Sequence, residues 1–187
     1  MTNINAIKFI SEGTSIISLI KMGEQNNTFQ SEYDIVEDYN YISFEYSYNG
    51  IDWIEWDLND LTVNLGDTLY IRGNNPEGFN SNFDNYYSFA IEGDKVSCSG
   101  NIMSLIDYES VPDTIPNDYC FYKLFDRCPS LTTAPELPAK TLKEWCYGRM
   151  FEGCTSLTSA PELPATRLAN NCYYNMFKGC TLLNDKK

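Results

Sequence analysis

The sequence contains no histidine, and it has only 13 Lys and Arg residues against 26 Asp and Glu residues, a formal net charge of −13. Without histidine, the chain cannot form a Ser–His or Cys–His catalytic pair or a zinc site with histidine ligands. The excess of negative charge disfavours nucleic acid, which proteins bind mainly through Lys and Arg. We therefore expect no enzymatic activity, no catalytic residue, no cofactor, no bound metal and no nucleic-acid partner.

Long apolar runs are also missing. No stretch approaches the roughly 18 consecutive apolar residues typical of a membrane-spanning helix. The first residues, MTNINAIKFISEG, lack the basic start and the unbroken apolar stretch of a signal peptide. We expect neither membrane insertion nor export by a signal peptide. Hydrophobic residues nevertheless make up 43% of the chain and aromatic residues 14%, which is enough apolar material for a packed core.

Charge and cysteine are distributed unevenly along the chain. Residues 1–115 hold 19 acids and 4 bases, a net charge of −15, whereas residues 116–187 hold 7 acids and 9 bases, a net charge of +2. Six of the seven cysteines lie beyond residue 110, and the segment VPDTIPNDY supplies two prolines that suit a junction. The sequence therefore predicts two domains, an acidic domain over 1–115 and a repeat domain over 116–187.

The first domain shows the apolar and polar alternation of β-strands. Residues 42–48 alternate in this way, and the Asn49-Gly50 pair that follows predicts a two-residue type I′ hairpin turn. Strands are predicted at 7–10, 15–20, 42–48, 51–56, 61–65, 68–72, 87–91 and 95–99. About eight short strands at this spacing predict an all-β sandwich or barrel.

The second domain is a tandem repeat with a period of 26 residues. Three strings align without gaps, and they begin at Cys120, Cys146 and Cys172. In each, apolar residues recur at i, i+1, i+4, i+5 and i+8, which predicts one face of a short helix, and the following APELPA predicts an extended segment. We expect about two and a half repeats to stack as a solenoid. The predicted ladders are Phe125, Phe151 and Phe177, and Leu131, Leu157 and Leu183.

The strings share the pattern C-x(3)-[LM]-F-x(2)-C-x(2)-L-T-x-A-P-E-L-P-A within residues 117–183. They resemble the BspA-type leucine-rich repeats that are abundant in surface proteins of gut Bacteroidota and also occur in phages of those bacteria. The resemblance implies a leucine-rich-repeat-like solenoid used for adhesion and recognition, with no catalytic role.

The paired cysteines of each repeat lie eight residues apart. On a helix their Cα atoms would be about 12 Å apart, beyond the roughly 7 Å that a disulfide can bridge. No C-x-x-C spacing supports zinc. We expect buried, reduced thiols and folding in a reducing compartment.

Two sets of residues in the first domain are candidates for binding. The acidic residues could hold calcium or supply a carboxylate pair for glycoside hydrolysis, but we expect them to form the solvated face of a sheet. They are Glu45, Asp52, Glu55, Asp57 and Asp60. Trp53 and Trp56 fall on opposite faces of the predicted strand, so one should be exposed and able to stack on a sugar, and we take Trp56 as a candidate for partner binding.

The third repeat stops at TLLNDKK, before any APELPA segment, so no fourth repeat covers Phe177. Leu182 replaces the serine of the two earlier units and stands next to Leu183. We predict that Leu182 and Leu183 dock on another subunit. The alternative is that residues 185–187 fold back as a polar cap.

A recognition scaffold, the absence of an export signal and reduced thiols together favour a phage virion protein, which folds in the host cytoplasm and is released by lysis. We expect a non-enzymatic capsid decoration or head-fibre protein that attaches to other virion proteins in a symmetric assembly. A glycan or protein of the host surface is a further expected partner. The alternatives are a leucine-rich-repeat adhesin on a bacterial cell surface and a carbohydrate-binding module.

Overall fold

The computed structural model describes residues 4–23 and 42–183. Within these residues the chain forms nine β-strands, one short 3-10 helix (Ile102–Leu105) and no α-helix. The strands are β1 (Ile7–Ser11), β2 (Ser15–Gly23), β3 (Phe44–Ser47), β4 (Ile54–Glu55), β5 (Leu61–Val63), β6 (Leu69–Gly73), β7 (Asn85–Gly93), β8 (Val96–Ser99) and β9 (Leu131–Thr133). The first eight strands overlap the eight ranges predicted from the sequence, and β1, β2, β6 and β7 extend beyond theirs.

The strands form two sheets. One has six strands in the order β4-β3-β6-β1-β8-β9, and the other has three in the order β5-β2-β7. Neighbours are antiparallel except for β8 and β9, which pair in parallel. The sheets face each other across an apolar core, in which the rings of Phe9 on β1 and Phe89 on β7 lie 5.4 Å apart in an edge-to-face arrangement.

The predicted two-residue turn at Asn49-Gly50 is wrong. Tyr46 on β3 pairs with Ile54 on β4, so the loop between the strands is several residues longer. Side chains hold this loop together: the Ser47 hydroxyl oxygen accepts from the Gly50 N–H at 2.9 Å, and the Asn49 side-chain oxygen accepts from the backbone N–H of Asp52 at 2.9 Å. Such bonds compete with strand pairing and widen the turn.

The predicted fold class is also wrong for the second domain. The described residues contain no helix in any repeat, and the repeats do not form a solenoid of the leucine-rich-repeat type. Each unit is a ribbon of overlapping turns, in which Tyr122 donates to Tyr119 and Leu124 donates to Phe121 through i to i−3 backbone bonds. Every fourth residue has a positive φ, between 50° and 79°. These residues are Tyr119, Lys123, Arg127, Trp145, Arg149, Gly153, Asn171, Asn175 and Gly179.

A positive φ costs a non-glycine residue about 1–2 kcal/mol, so something must offset it in each unit. Backbone hydrogen bonds between units do so. Every second N–H group of a unit points out of its own ribbon and donates to a carbonyl of the next unit. From the first unit to the second they join Tyr119 to Glu144, Phe121 to Cys146, Lys123 to Gly148, Phe125 to Met150 and Arg127 to Glu152, over 2.7 to 3.0 Å. From the second to the third they join Trp145 to Asn170, Tyr147 to Cys172, Arg149 to Tyr174, Phe151 to Met176 and Gly153 to Lys178, over 2.8 to 3.2 Å.

The predicted phenylalanine ladder is present and extends into the β-sandwich. The rings of Phe125, Phe151 and Phe177 stack nearly parallel, with centroids 5.5 and 5.8 Å apart. Phe89 on β7 stacks on Phe125 at 5.2 Å and donates its backbone N–H to the Leu124 carbonyl. Strand β7 therefore covers the first unit in the way that each unit covers the next.

The cysteines are buried, as predicted. All seven are free thiols, and only Cys180 is partly exposed. In each unit the second thiol donates to a carbonyl of the preceding layer, as Cys128 does to Phe89 at 3.2 Å and Cys154 does to Phe125 at 3.1 Å. Burial raises the pKa of Cys146 and of Cys154 to about 12, so both thiols are protonated at neutral pH.

Candidate functional site

The third unit is the last repeat among the described residues, and the face that it turns away from the second unit is the candidate site, here called the open end. By the repeat, five backbone N–H groups of this unit point away from the second unit. They belong to Asn171, Tyr173, Asn175, Phe177 and Gly179. None has a hydrogen-bond acceptor among residues 4–23 and 42–183, whereas the equivalent groups of both earlier units are bonded. The open end is therefore a row of backbone donors.

Apolar side chains surround this donor row. Leu163 is 40% exposed and Leu168 is 65% exposed, although their counterparts one repeat earlier, Leu137 and Leu142, are only 3% and 4% exposed. Each pair has the same residue type at the same point of the repeat, so the difference in exposure reflects which described segments cover each pair. The second extended segment covers Leu137 and Leu142, and no described segment covers the later pair.

A shallow cavity of about 420 Å³ lies in the open end. Its lining consists of Leu163, Tyr173, Asn175, Met176, Phe177 and Lys178. The rings of Tyr173 and Phe177 are the last rungs of two aromatic ladders, each with one face packed on the preceding unit. Lys178 forms an ion pair with Glu152 at 3.4 Å and remains largely exposed. The cavity therefore offers flat apolar surface with one cation at its rim.

The three predicted partner-binding residues differ in how exposed their side chains are. Leu182 is 51% exposed in the third unit, and Leu183 is half-buried against the core. Trp56 is only 4% exposed, and its indole N–H donates to the Asn59 carbonyl at 2.7 Å. Trp56 is therefore a core residue that no partner can reach, because the β4 segment turns it inward. The alternative polar cap over 185–187 lies outside the described residues.

Sequence reasoning missed Leu163 and Leu168. The signal was available: the APELPAKTL segment is followed by a second copy, APELPATRL, whereas no described residues repeat the motif after that copy, so its leucines lack the cover that Leu137 and Leu142 have. The donor row could not be found in this way, because a helix would have satisfied every N–H group within the unit.

The acidic residues of the first domain do not converge. Glu45 forms an ion pair with Arg72 at 2.7 Å, Asp52 accepts from Asn49 at 2.8 Å, and Asp60 accepts from Ser18 at 2.6 Å. Within residues 4–23 and 42–183, no group of three or more potential metal ligands occurs. Asp57 accepts from the Asn59 side chain at 2.6 Å, so four of the five carboxylates already have a hydrogen-bond or ion-pair partner.

A second concavity, of about 450 Å³, lies between β7 and the first repeat. Ile20, Met22 and Tyr86 form one wall, and Lys123 and Asp126 form part of the other. The Lys123 ammonium bonds to the Tyr86 hydroxyl at 3.2 Å and pairs with Asp126 at 3.7 Å. The charges of Lys123 and Asp126 are therefore paired with each other, and Glu92 and Arg127 also line this groove.

A strip of aromatic side chains runs along one side of the repeats. Phe83 contacts Tyr119 at 4.6 Å and Trp145 at 4.9 Å between ring centroids, and Trp145 contacts Tyr174 at 4.9 Å. Phe83 and Tyr174 are exposed at its two ends. Exposed rings of this kind can stack on the apolar face of a ligand.

In comparisons with family models, with curated proteins and with solved structures, nothing matches this chain. In the part of the chain that the structure describes, no helix is long and apolar enough to cross a membrane.

Proposed function

We propose that this chain is a non-enzymatic structural protein that attaches to another protein through the open end of its repeats. The observation that carries the proposal is the contrast between Leu163 and Leu168, which are exposed, and Leu137 and Leu142, which are buried at the same points of the repeat. An exposed apolar face beside unbonded backbone donors is typical of a surface that a partner covers.

The setting that we propose is a phage particle, in which the chain acts as a capsid decoration or head-fibre protein. The support for this setting is the resemblance of the repeats to those of gut Bacteroidota and their phages, together with the buried thiols, which suit folding in a reducing cytoplasm. In this arrangement the acidic β-sandwich faces outward and the open end faces the particle.

Co-expression tests the attachment. The chain is expressed with the structural proteins encoded next to its gene and purified through a tag on the chain. We expect one of them to co-purify, and we expect Leu163→Asp with Leu182→Asp to abolish this. Leu65→Asp is the matched control, because Leu65 is also exposed but lies in the β-sandwich. Co-purification that survives the double substitution, or no co-purification at all, would contradict the proposal.

A second candidate function is carbohydrate binding by the aromatic strip. Phe83 and Tyr174 expose ring surface at its ends, and aromatic rings pack well against sugars. A glycan array probed with the whole chain tests this function. Binding should be lost in Phe83→Ala and kept in Leu163→Asp, whereas an array without any signal would remove this candidate.

A further inference from the structure

The open end has a polarity that restricts its partner. Its turn ribbon presents N–H donors at every second residue from Asn171 to Gly179. What satisfies the same row in the earlier units is a set of carbonyls at alternate residues of the next unit, such as those of Cys146 and Cys172. A partner that completes the stack must therefore supply carbonyl acceptors at this spacing.

A second copy of the chain cannot supply them at its own open end. Two open ends brought face to face would oppose two rows of donors, which leaves both rows unbonded and buried. Burying unbonded N–H groups costs free energy, so this symmetric contact is disfavoured.

Nor can a second copy offer the acceptor row of its first unit. Two of the five carbonyls of that row are already in use within the chain: Leu124 accepts from the Phe89 N–H at 2.7 Å, and Tyr122 accepts from the Asn80 side chain at 3.3 Å. Phe89 also stacks on Phe125, so the ring face of the first unit is covered. Head-to-tail stacking of copies would require β7 to leave the core.

The net charge also disfavours a second copy as the partner. Each copy carries a net charge of −13, so close approach of two copies is opposed by repulsion, while the repeat domain itself is slightly positive at +2. A partner that is less acidic than this chain meets no such barrier.

We propose that the partner at the open end is a different polypeptide, one that presents a segment built like this chain's own repeat unit, with alternating carbonyls and an aromatic ring at the phenylalanine position. This inference rests on the proposed attachment function. The segment would add one further layer to the stack, much as a peptide adds a strand to the edge of a β-sheet.

A synthetic peptide with the sequence of residues 146–168 is the probe, and a scrambled peptide of the same composition is its control. Hydrogen exchange of the whole chain is measured with and without each peptide. In the chain alone, the amides of Tyr173 and Phe177 should exchange faster than those of Tyr147 and Phe151. The repeat peptide should slow their exchange, and the scrambled peptide should not.

Substitutions separate the open end from the rest of the surface. Leu163→Asp should weaken peptide binding by about tenfold or more, and Leu65→Asp should leave it unchanged. In sedimentation, the unmodified chain alone should not associate with itself through the open end, so Leu163→Asp should leave its sedimentation unchanged.

Other outcomes of these experiments would overturn the partner inference, the attachment function, or both. If the chain associates with itself and Leu163→Asp prevents this, the partner is a second copy, and the inference fails while the attachment function stands. If the amides of the donor row are already protected from exchange in the chain alone, both the attachment function and the partner inference fail. If the row is exposed but the repeat peptide does not bind, the partner chemistry proposed here is wrong.

Discussion

Phe151 and Phe177 provide an internal test of the open end, because they occupy equivalent positions in consecutive units. Phe151 is fully buried between Phe125 at 5.5 Å and Phe177 at 5.8 Å, whereas Phe177 is half-buried and, among the described residues, stacks on one ring. The two residues differ in cover and not in chemistry, so the cost of removing each ring reports how much of it is buried.

Phe151→Ala should destabilise the fold by about 3–5 kcal/mol, the usual cost of deleting a buried phenylalanine ring. Phe177→Ala should cost less, about 1.5–2.5 kcal/mol, because the ring is already partly solvated and one stacked pair is lost instead of two. The measurement is urea unfolding followed by fluorescence and circular dichroism, with the slope checked for equality among the variants.

Equal costs for the two substitutions would refute the reasoning, since they would show that Phe177 is as well covered in solution as Phe151. A smaller cost for Phe177→Ala that rises to the value for Phe151→Ala when a partner is added would show that the partner covers the open end. Leu65→Ala serves as a surface control and should change the free energy of unfolding by less than about 0.5 kcal/mol.

Three further predictions concern single groups. Tyr147→Phe should stabilise the protein by about 1 kcal/mol, because the buried Tyr147 hydroxyl has no hydrogen-bond partner among the described residues; a loss of stability in thermal unfolding would show that it has one. Stability should be full below the unfolded thiol pKa of about 8.5 and should fall as pH rises toward about 12, the raised pKa of Cys146 and Cys154 in the folded state, because the unfolded chain releases these protons first. Urea midpoints that stay level between these pH values would contradict this. Gly153→Ala should cost about 1 kcal/mol in the same assay, because φ is +77° there while the nearest atom to an added Cβ lies 3.5 Å away, so backbone strain and not a clash sets the cost; an unchanged midpoint would argue against that strain.

Local pattern was sufficient for the strands of the β-sandwich. Alternation predicted β1 and β2 within a few residues of their observed bounds, because one face of each strand is buried and the side-chain period of a strand is two. The same reasoning failed at Asn49-Gly50, where two side-chain oxygens bind backbone N–H groups and lengthen the loop. It also failed at Trp56, whose orientation depends on how the short β4 strand leaves the sheet.

The repeat shows most clearly what sequence determined and what tertiary structure decided. The 26-residue period by itself determined that equivalent residues stack, and Phe125, Phe151 and Phe177 do so. The apolar spacing i, i+1, i+4, i+5, i+8 fits a helix, but it equally fits a ribbon of turns with a period of four residues. Only contact between units decides between them, because a helix keeps its N–H groups within one unit whereas the ribbon donates half of them to its neighbour. That same sharing leaves the last unit with unbonded donors among the described residues, so the tertiary structure alone revealed the polarity of the candidate site.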